Sequence, residues 1–263
     1  MNKRNFSTVK LSQGEVHVYD FGGVRLHAYQ TGDPLADEVF LLEKAGQFVA
    51  LESPCFTDGI AALNGYLEGR TVAGVLVAYH GAGASFQTQA PKYATANAVD
   101  YARNGGGRAL IDQFASTFGG AFDSGIHAIG HVIGEGPATI GGIEFVIRQT
   151  PEAFDVEIPE INAVYTHMLG HDCHSIVAGL DHADGMIAQL RGYIQRGYAL
   201  VLTSHYTPED LKDAQTKIGY LEELKAVAAS CGDAGAFKAE MKKRYPAYSG
   251  ENYLDMTAGF FFA

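Results

Sequence analysis

Cysteine is scarce in this chain: Cys55, Cys173 and Cys231 stand far apart and in no pattern. An odd number so placed argues against a disulfide framework and fits a reducing compartment. Basic residues are also few, 19 Lys and Arg against 30 Asp and Glu, for a formal net charge of −11. No cationic stripe is available to neutralise phosphates, so neither nucleic acid nor an anionic membrane is an expected partner. No apolar run approaches the ~20 residues of a membrane span. The early positive charge of "MNKRNFSTVKLSQGEVHVYD" has no apolar stretch behind it, so no secretory leader is expected and the cytoplasm is the expected location.

Several catalytic signatures are missing too. "NGGG" at 104–107 is not followed by Lys-Ser/Thr, so it is no phosphate loop. Ser85 and Ser175 lack the strand–Ser–helix elbow of a serine hydrolase. Neither a paired-cysteine zinc motif nor a helical H-E-x-x-H occurs.

What is present reads as a layered protein. A hydrophobic content of 47% over 263 residues is ample for one large core. "EVHVYDFGGVRLHAYQTG" alternates around Gly22-Gly23 as a hairpin, and "EVFLLEKAGQFVALES" repeats the scheme with a turn near Lys44 to Gly46. Ile60, Leu63 and Leu67 follow at helical spacing, with Thr57-Asp58 as the expected cap. "VAGVLVAY" is then a buried strand, and helices are predicted over 94–103 and 107–117. "GIHAIGHVIG", "GGIEFVIRQ" and "INAVYT" read as strands. Met186, Ile187, Leu190 and Ile194 mark another helix, and "YALVLTS" a last buried strand. In "TPEDLKDAQTKIGYLEELKAVAAS", Thr207 is the expected cap and Pro208 the first helical residue. No linker or low-complexity tract divides the chain, so 1–263 is expected to be a single domain carrying a helical segment, 207–263, packed on it.

Histidine carries the chemistry. His80 and His205 each end a buried strand, where layered α/β proteins tend to build sites. "YTHMLGHDCHSIVAGLDHADG" holds His167, His171, Asp172, Cys173, His174, Asp181, His182 and Asp184, a ligand set suited to zinc or a similar ion or to a hydrogen-bonded loop. Helical spacing would align His167, His171 and His174, but Gly170 interrupts that helix. His127 and His131 fall in step on one strand face and read as structural.

The order of these segments resembles the metallo-β-lactamase superfamily over most of the chain. "EVFLLEKAGQFVALESPCFTDGIAALNGYLEG" is similar to that family's hairpin, its strand ending in an acidic residue (Glu52) and the following helix. "GVLVAYHGAGASF" stands where the family has H-x-H-x-D-H, "RQTPEAFDVEIPEINAVYTHML" where it has the T-P-G-H turn and the strand ending in a bridging aspartate, and "ALVLTSHYTP" where it has a final histidine. The resemblance implies an α/β (α+β) protein, a four-layer αββα sandwich with its site at one edge. Carried over by residue, His80 takes the first histidine's place, Ala82 the second's, Ala84 the aspartate's and Ser85 the third histidine's. Glu152-Ala153 replaces Gly-His, Met168 the bridging aspartate, and His205 keeps the last ligand; a register shifted by one puts Tyr79 first instead.

So few ligands do not support a binuclear centre at the family's usual place, since a hydrolytic zinc needs about three. The expectation is a metal-free member that binds a small molecule, or acts non-hydrolytically, in a pocket drawn from Tyr79, His80, Ser85, Met168, His174 and His205. A first alternative is a hydrolase with one zinc or similar ion held by His80, His205 and His167, His171 or His174. A second is an interaction protein using the fold as a scaffold. Homo-oligomerisation stays open.

Overall fold

The computed structural model describes residues 5–167 and 170–262. Met168 therefore lies outside the described residues. The first sheet takes its strands in chain order: β1 (Ser7–Lys10), β2 (Glu15–Asp20), β3 (Arg25–Gln30), β4 (Glu38–Lys44), β5 (Gln47–Leu51), β6 (Thr71–Leu76), β7 (Lys92–Ala94) and β8 (His131–Val132). β2 to β5 form the two expected hairpins. Between β4 and β5 only Ala45 and Gly46 turn the chain, with φ of 49° and 80°, the mirror-image turn that matches strand twist. α1 (Thr57–Tyr66) then crosses over, and β6 returns parallel to β5. α2 (Ala96–Asn104) and α3 (Gly106–Phe118) lie between β7 and β8 in the chain.

The second sheet runs in the order β14-β13-β12-β11-β10-β9. Its strands are β9 (Gly136–Ile140), β10 (Ile143–Gln149), β11 (Phe154–Ile158), β12 (Ala163–Thr166), β13 (Leu200–Thr203) and β14 (Tyr206–Glu209). α4 (Leu180–Arg196) connects the parallel pair β12 and β13; α5 (Leu211–Ser230), α6 (Ala234–Arg244) and α7 (Glu251–Phe261) follow β14.

Strand alternation explains the layering. Leu200 and Leu202 face the core shared by the two sheets, with Phe40, Leu42, Phe145, Val156 and Tyr165. Val201, between them, faces a second core with Leu190, Ile218, Leu221 and Phe237 from the helices. Helices therefore cover the outer face of the second sheet as α1 covers the first, giving the αββα sandwich.

Three local expectations are corrected. Phe56, not Thr57-Asp58, is the N-cap of α1, and no side chain caps that end. α5 starts at Leu211: Asp210 accepts from the Lys212 and Asp213 amides, and the Asp213 carboxylate accepts from the Asp210 amide. That reciprocal cap outcompetes Thr207, and Pro208, which has no N–H to offer a neighbour, sits instead in the edge strand β14. Finally, only His131 and Val132 of "GIHAIGHVIG" pair as strand, so His127 and His131 do not share a strand face. The backbone there is already engaged, with the His127 amide on the Gly81 carbonyl and the Gly125 carbonyl on the Ala84 amide.

Candidate functional site

Glu52 organises the site. It follows β5 with φ of 68°, a conformation a residue with a side chain adopts only where its surroundings demand it. Its buried carboxylate accepts from the amides of Ala78 (3.1 Å), Tyr79 (2.7 Å) and His80 (3.1 Å), and from the Tyr165 hydroxyl (2.9 Å). The loop that delivers His80 is thus fixed from below.

Beyond His80 the loop packs too closely for larger residues. A Cβ on Gly81 would lie 2.5 Å from the Ala102 Cβ of α2, and one on Gly83, where φ is 82°, would lie 2.3 Å from the Pro54 carbonyl oxygen. Ala82 is buried in the cavity wall, and the segment supplies shape in place of lone pairs.

His80, His167 and His205 meet at the carboxyl ends of β6, β12 and β13, the ends of two parallel strand pairs. Their ligand nitrogens lie within 4.8 Å of one another, and their ring centroids are 5.2 to 5.7 Å apart. Hydrogen bonds define two of the rings. Tyr165 donates to Glu52 and lies 2.6 Å from Ser204 Oγ, which in turn lies 2.6 Å from His167 Nδ1. Every oxygen is satisfied only if Ser204 donates to Tyr165 and His167 Nδ1–H donates to Ser204, leaving Nε2 of His167 with the lone pair. His205 Nδ1 faces the Leu35 carbonyl at 3.2 Å and must carry a proton, so its Nε2 also keeps a lone pair. Tyr79 stacks on His167 with centroids 4.7 Å apart and holds the ring's plane.

The electrostatics favour a positive charge here. Burial and the neighbouring His205 and His80 push His167 well below the usual imidazole range, so it is neutral. Burial alone would lower His80 as well, but Asp37, Glu52 and Asp33 outweigh it and raise its pKa. Burial would raise the Asp37 carboxyl, yet His80 and His205 hold it below its ordinary value. Asp37 Oδ1 is 3.2 Å from His205 Nδ1, but that proton is aimed at Leu35, and neither Asp37 oxygen accepts a hydrogen bond. His80 Nδ1 is likewise buried without a partner. Buried polar atoms left unpaired in this way are costly unless a ligand claims them.

The histidines form one end of a cavity of about 360 Å³. Its walls are largely apolar, including Leu35, Leu110, Ile111, Phe114, Phe122 and Met256, with Asn252 and Tyr253 as polar points. Of the pocket residues expected from sequence, Tyr79, His80 and His205 line it. Ser85 does not: it is exposed, and its hydroxyl bonds Asp123 at 2.7 Å. His174 does not either; it is buried against the Tyr220 hydroxyl at 3.0 Å. His171 pairs with Glu209 at 2.7 Å, so of the 167–174 cluster only His167 reaches the centre. His80, His167 and His205, candidates of the first alternative, therefore come together, and His171 and His174 do not join them. Asp37 and Cys55, which the sequence reading passed over, also line the cavity. Asp37 carries no motif of its own, and its only signal was its place directly before a buried strand.

No protein-family model matches the sequence, and no curated protein matches it. Solved structures do. A metallo-β-lactamase family protein from Thermus thermophilus superposes with a TM-score of 0.62 at 14% identity, over 88% of this chain and 91% of that one. A β-lactamase domain protein from Burkholderia ambifaria gives 0.63 at 14%, over 93% and 86%. The fold is that of the metallo-β-lactamases. The stereoselective inverting sec-alkylsulfatase Pisa1 from Pseudomonas sp. shares it at a TM-score of 0.62 and 14% identity, over 96% of this chain. This chain spans 57% of that enzyme's length, and 48% of a double mutant of it. At such identity the metallo-β-lactamase likeness carries the architecture and leaves the chemistry to the residues present.

Proposed function

We propose that the protein is a metal-dependent hydrolase with a mononuclear site rebuilt from His80, His167 and His205, acting on a small, largely apolar, uncharged substrate. The convergence of three imidazoles at one end of the cavity carries the reading. The residues fit a zinc-class ion: two rings present Nε2 lone pairs, orphaned polar atoms surround them, and Asp33, Asp37 and Glu52 supply the negative field. A divalent ion held there would supply Lewis-acid activation of a water and of the substrate's carbonyl.

The chain's own residues do the rest. Ser204 and the Leu35 carbonyl orient the two rings, and Tyr79 restrains His167. The apolar wall excludes bulk water and binds the substrate's hydrocarbon portion. Among the described lining residues there is no lysine or arginine, and Asp37 would repel an anion. A neutral ester or lactone therefore suits the cavity better than the charged alkyl sulfate that the sulfatase's name implies.

Zinc titration by calorimetry, on protein prepared without chelator or metal-affinity resin, tests the reading. Binding at micromolar or tighter affinity, lost in both His80→Ala and His205→Ala, supports it; absence of such binding returns the protein to the metal-free binding role. Turnover of short-chain esters but not of alkyl sulfates by the zinc-loaded protein checks the substrate class.

A further inference from the structure

A second concavity, a groove of about 440 Å³, opens at the far end of the first sheet from the histidines. β5 joins the two places: Phe48, near its start, lines the groove, and Glu52, just past its end, holds the His80 amide. His27, Glu43 and Tyr66 also line the groove, with the exposed Arg25 and Arg70.

Every lining charge but one is answered within the fold. A carboxylate only accepts, so His27 Nε2–H donates to Glu43 Oε2 at 3.1 Å. Burial outweighs the Glu43 carboxylate and lowers the His27 pKa, so the ring is neutral. Its Nδ1 therefore accepts from the Tyr66 hydroxyl at 2.8 Å. Arg25 lies 3.4 Å from the same Glu43 oxygen and 3.8 Å from the exposed Asp20. Arg70 is the exception, with no carboxylate or other hydrogen-bond acceptor for its side chain among the described residues. Its guanidinium lies over the Tyr66 ring, 4.4 Å from the centroid, and over the Phe48 ring at 5.2 Å. Such stacking restrains the guanidinium plane and leaves the N–H donors free.

We propose that this groove is a binding site for a small organic monocarboxylate, whose carboxylate pairs with Arg70 and whose apolar body enters the groove. Val18 supplies apolar surface, and at Gly46 and Gly69 a Cβ would meet nothing within 4 Å, so the space is open. One uncompensated guanidinium offsets one negative charge, and its paired N–H groups match the two carboxylate oxygens. A phosphate dianion would bring excess charge beside Glu43, in a chain whose formal net charge is already −11. The site is independent of the histidine centre and of the function proposed for it.

Saturation-transfer NMR on the full-length chain, at low ionic strength and with benzoate as the probe, tests the assignment. Benzoate should bind with a Kd of about 1 mM or tighter. Benzamide, its neutral counterpart, should bind at least about tenfold more weakly, and phenyl phosphate more weakly than benzoate. Arg70→Gln should weaken benzoate about tenfold. Arg70→Lys should weaken it nearly as much, because an ammonium has no planar fork. His205→Ala should leave it unchanged, which separates this groove from the histidine cavity. If Arg70→Gln does not fold, Glu43→Gln reads the same groove and should tighten benzoate, since it removes the neighbouring negative charge. Equal binding of benzoate and benzamide overturns the assignment, as does benzoate binding that Arg70→Gln and Arg70→Lys leave intact. Tighter binding of phenyl phosphate, or no benzoate bound at about 10 mM, overturns it as well.

Discussion

The histidine end of the cavity and the loop 171–177 beneath α5 are built from the same residue types and reach opposite states. In the loop region the polar groups are matched with one exception, the buried Glu209 Oε2. His171 pairs with Glu209 at 2.7 Å, and His174 with Tyr220 at 3.0 Å. The fully buried Lys217 donates to the Cys173 carbonyl at 2.6 Å and to Ser175 Oγ at 2.8 Å. At the cavity, His80 Nδ1 and both Asp37 oxygens have no hydrogen-bond partner although they are equally shut away from water, and Asp37 keeps only its 3.2 Å contact with His205 Nδ1. A satisfied network stabilises and fixes a loop; an unsatisfied, convergent one is held open by the surrounding fold for a ligand. Counting histidines in the sequence does not distinguish the two, whereas the hydrogen-bond partners do.

The comparison is broken most directly by removing an imidazole from each region. His205→Ala or His80→Ala should weaken zinc binding by more than about 100-fold, since each leaves only two of the three imidazoles and losing a ligand costs more than losing a group that merely orients one. His174→Ala should leave the isotherm unchanged within error. Equal losses in the two regions would erase the distinction.

Lys217→Met probes the matched region in the other direction. It strands the Cys173 carbonyl and Ser175 hydroxyl in a buried site, and should cost about 3 kcal/mol in urea unfolding while zinc affinity holds. A loss under about 0.5 kcal/mol, the scale of an ordinary surface substitution, would show the network to be slack.

A third measurement uses pH. His127 is buried on Ser53, at 2.8 Å, beside the cavity loop, and burial and then Lys92 lower its pKa to about 4. Its unfolded form titrates near 6.5. Between those values the unfolded chain binds the extra proton, so the stability this neutral ring allows is fully present above about pH 6.5 and falls toward pH 4, by about 3 kcal/mol. Asp33, raised to about 6 chiefly by burial and then by Asp37, acts in the opposite sense over the same window. The contribution is therefore read as the difference in slope between wild type and His127→Gln, with stability rising more with pH in wild type; parallel curves would contradict it.

The smallest effect sharpens the comparison within the site. Ser204→Ala removes the group that orients His167 without touching the cavity wall, and should weaken zinc binding about tenfold. Its unfolding midpoint should move less than that of Lys217→Met. An unchanged zinc affinity would mean that packing against Tyr79, and not Ser204, sets the ring.

Much of the architecture was legible because it is local. Alternation in 15–20 and 25–30 with Gly22-Gly23 between them encodes a hairpin, and "YALVLTS" encodes a buried strand ending near His205. Where the reading failed, a second local signal outcompeted the first: Asp210 and Asp213 cap α5 in place of Thr207, and the backbone of 125–130 is engaged by the loop 81–84 before it can pair as strand.

The sequence alone determined the layered order and the placement of His80 and His205 at strand ends, because side-chain period and turn chemistry act over a few residues. Only the tertiary structure decided that His167 joins them while His171 and His174 turn away, and that Asp37 and Cys55 face the same cavity. Asp37 and His205 approach to 3.2 Å because two twisted sheets pack face to face and bring the ends of β4 and β13 together. Nothing in the local pattern around either residue encodes that approach. It follows from burying both sheets' apolar faces in one core, a property of the whole chain.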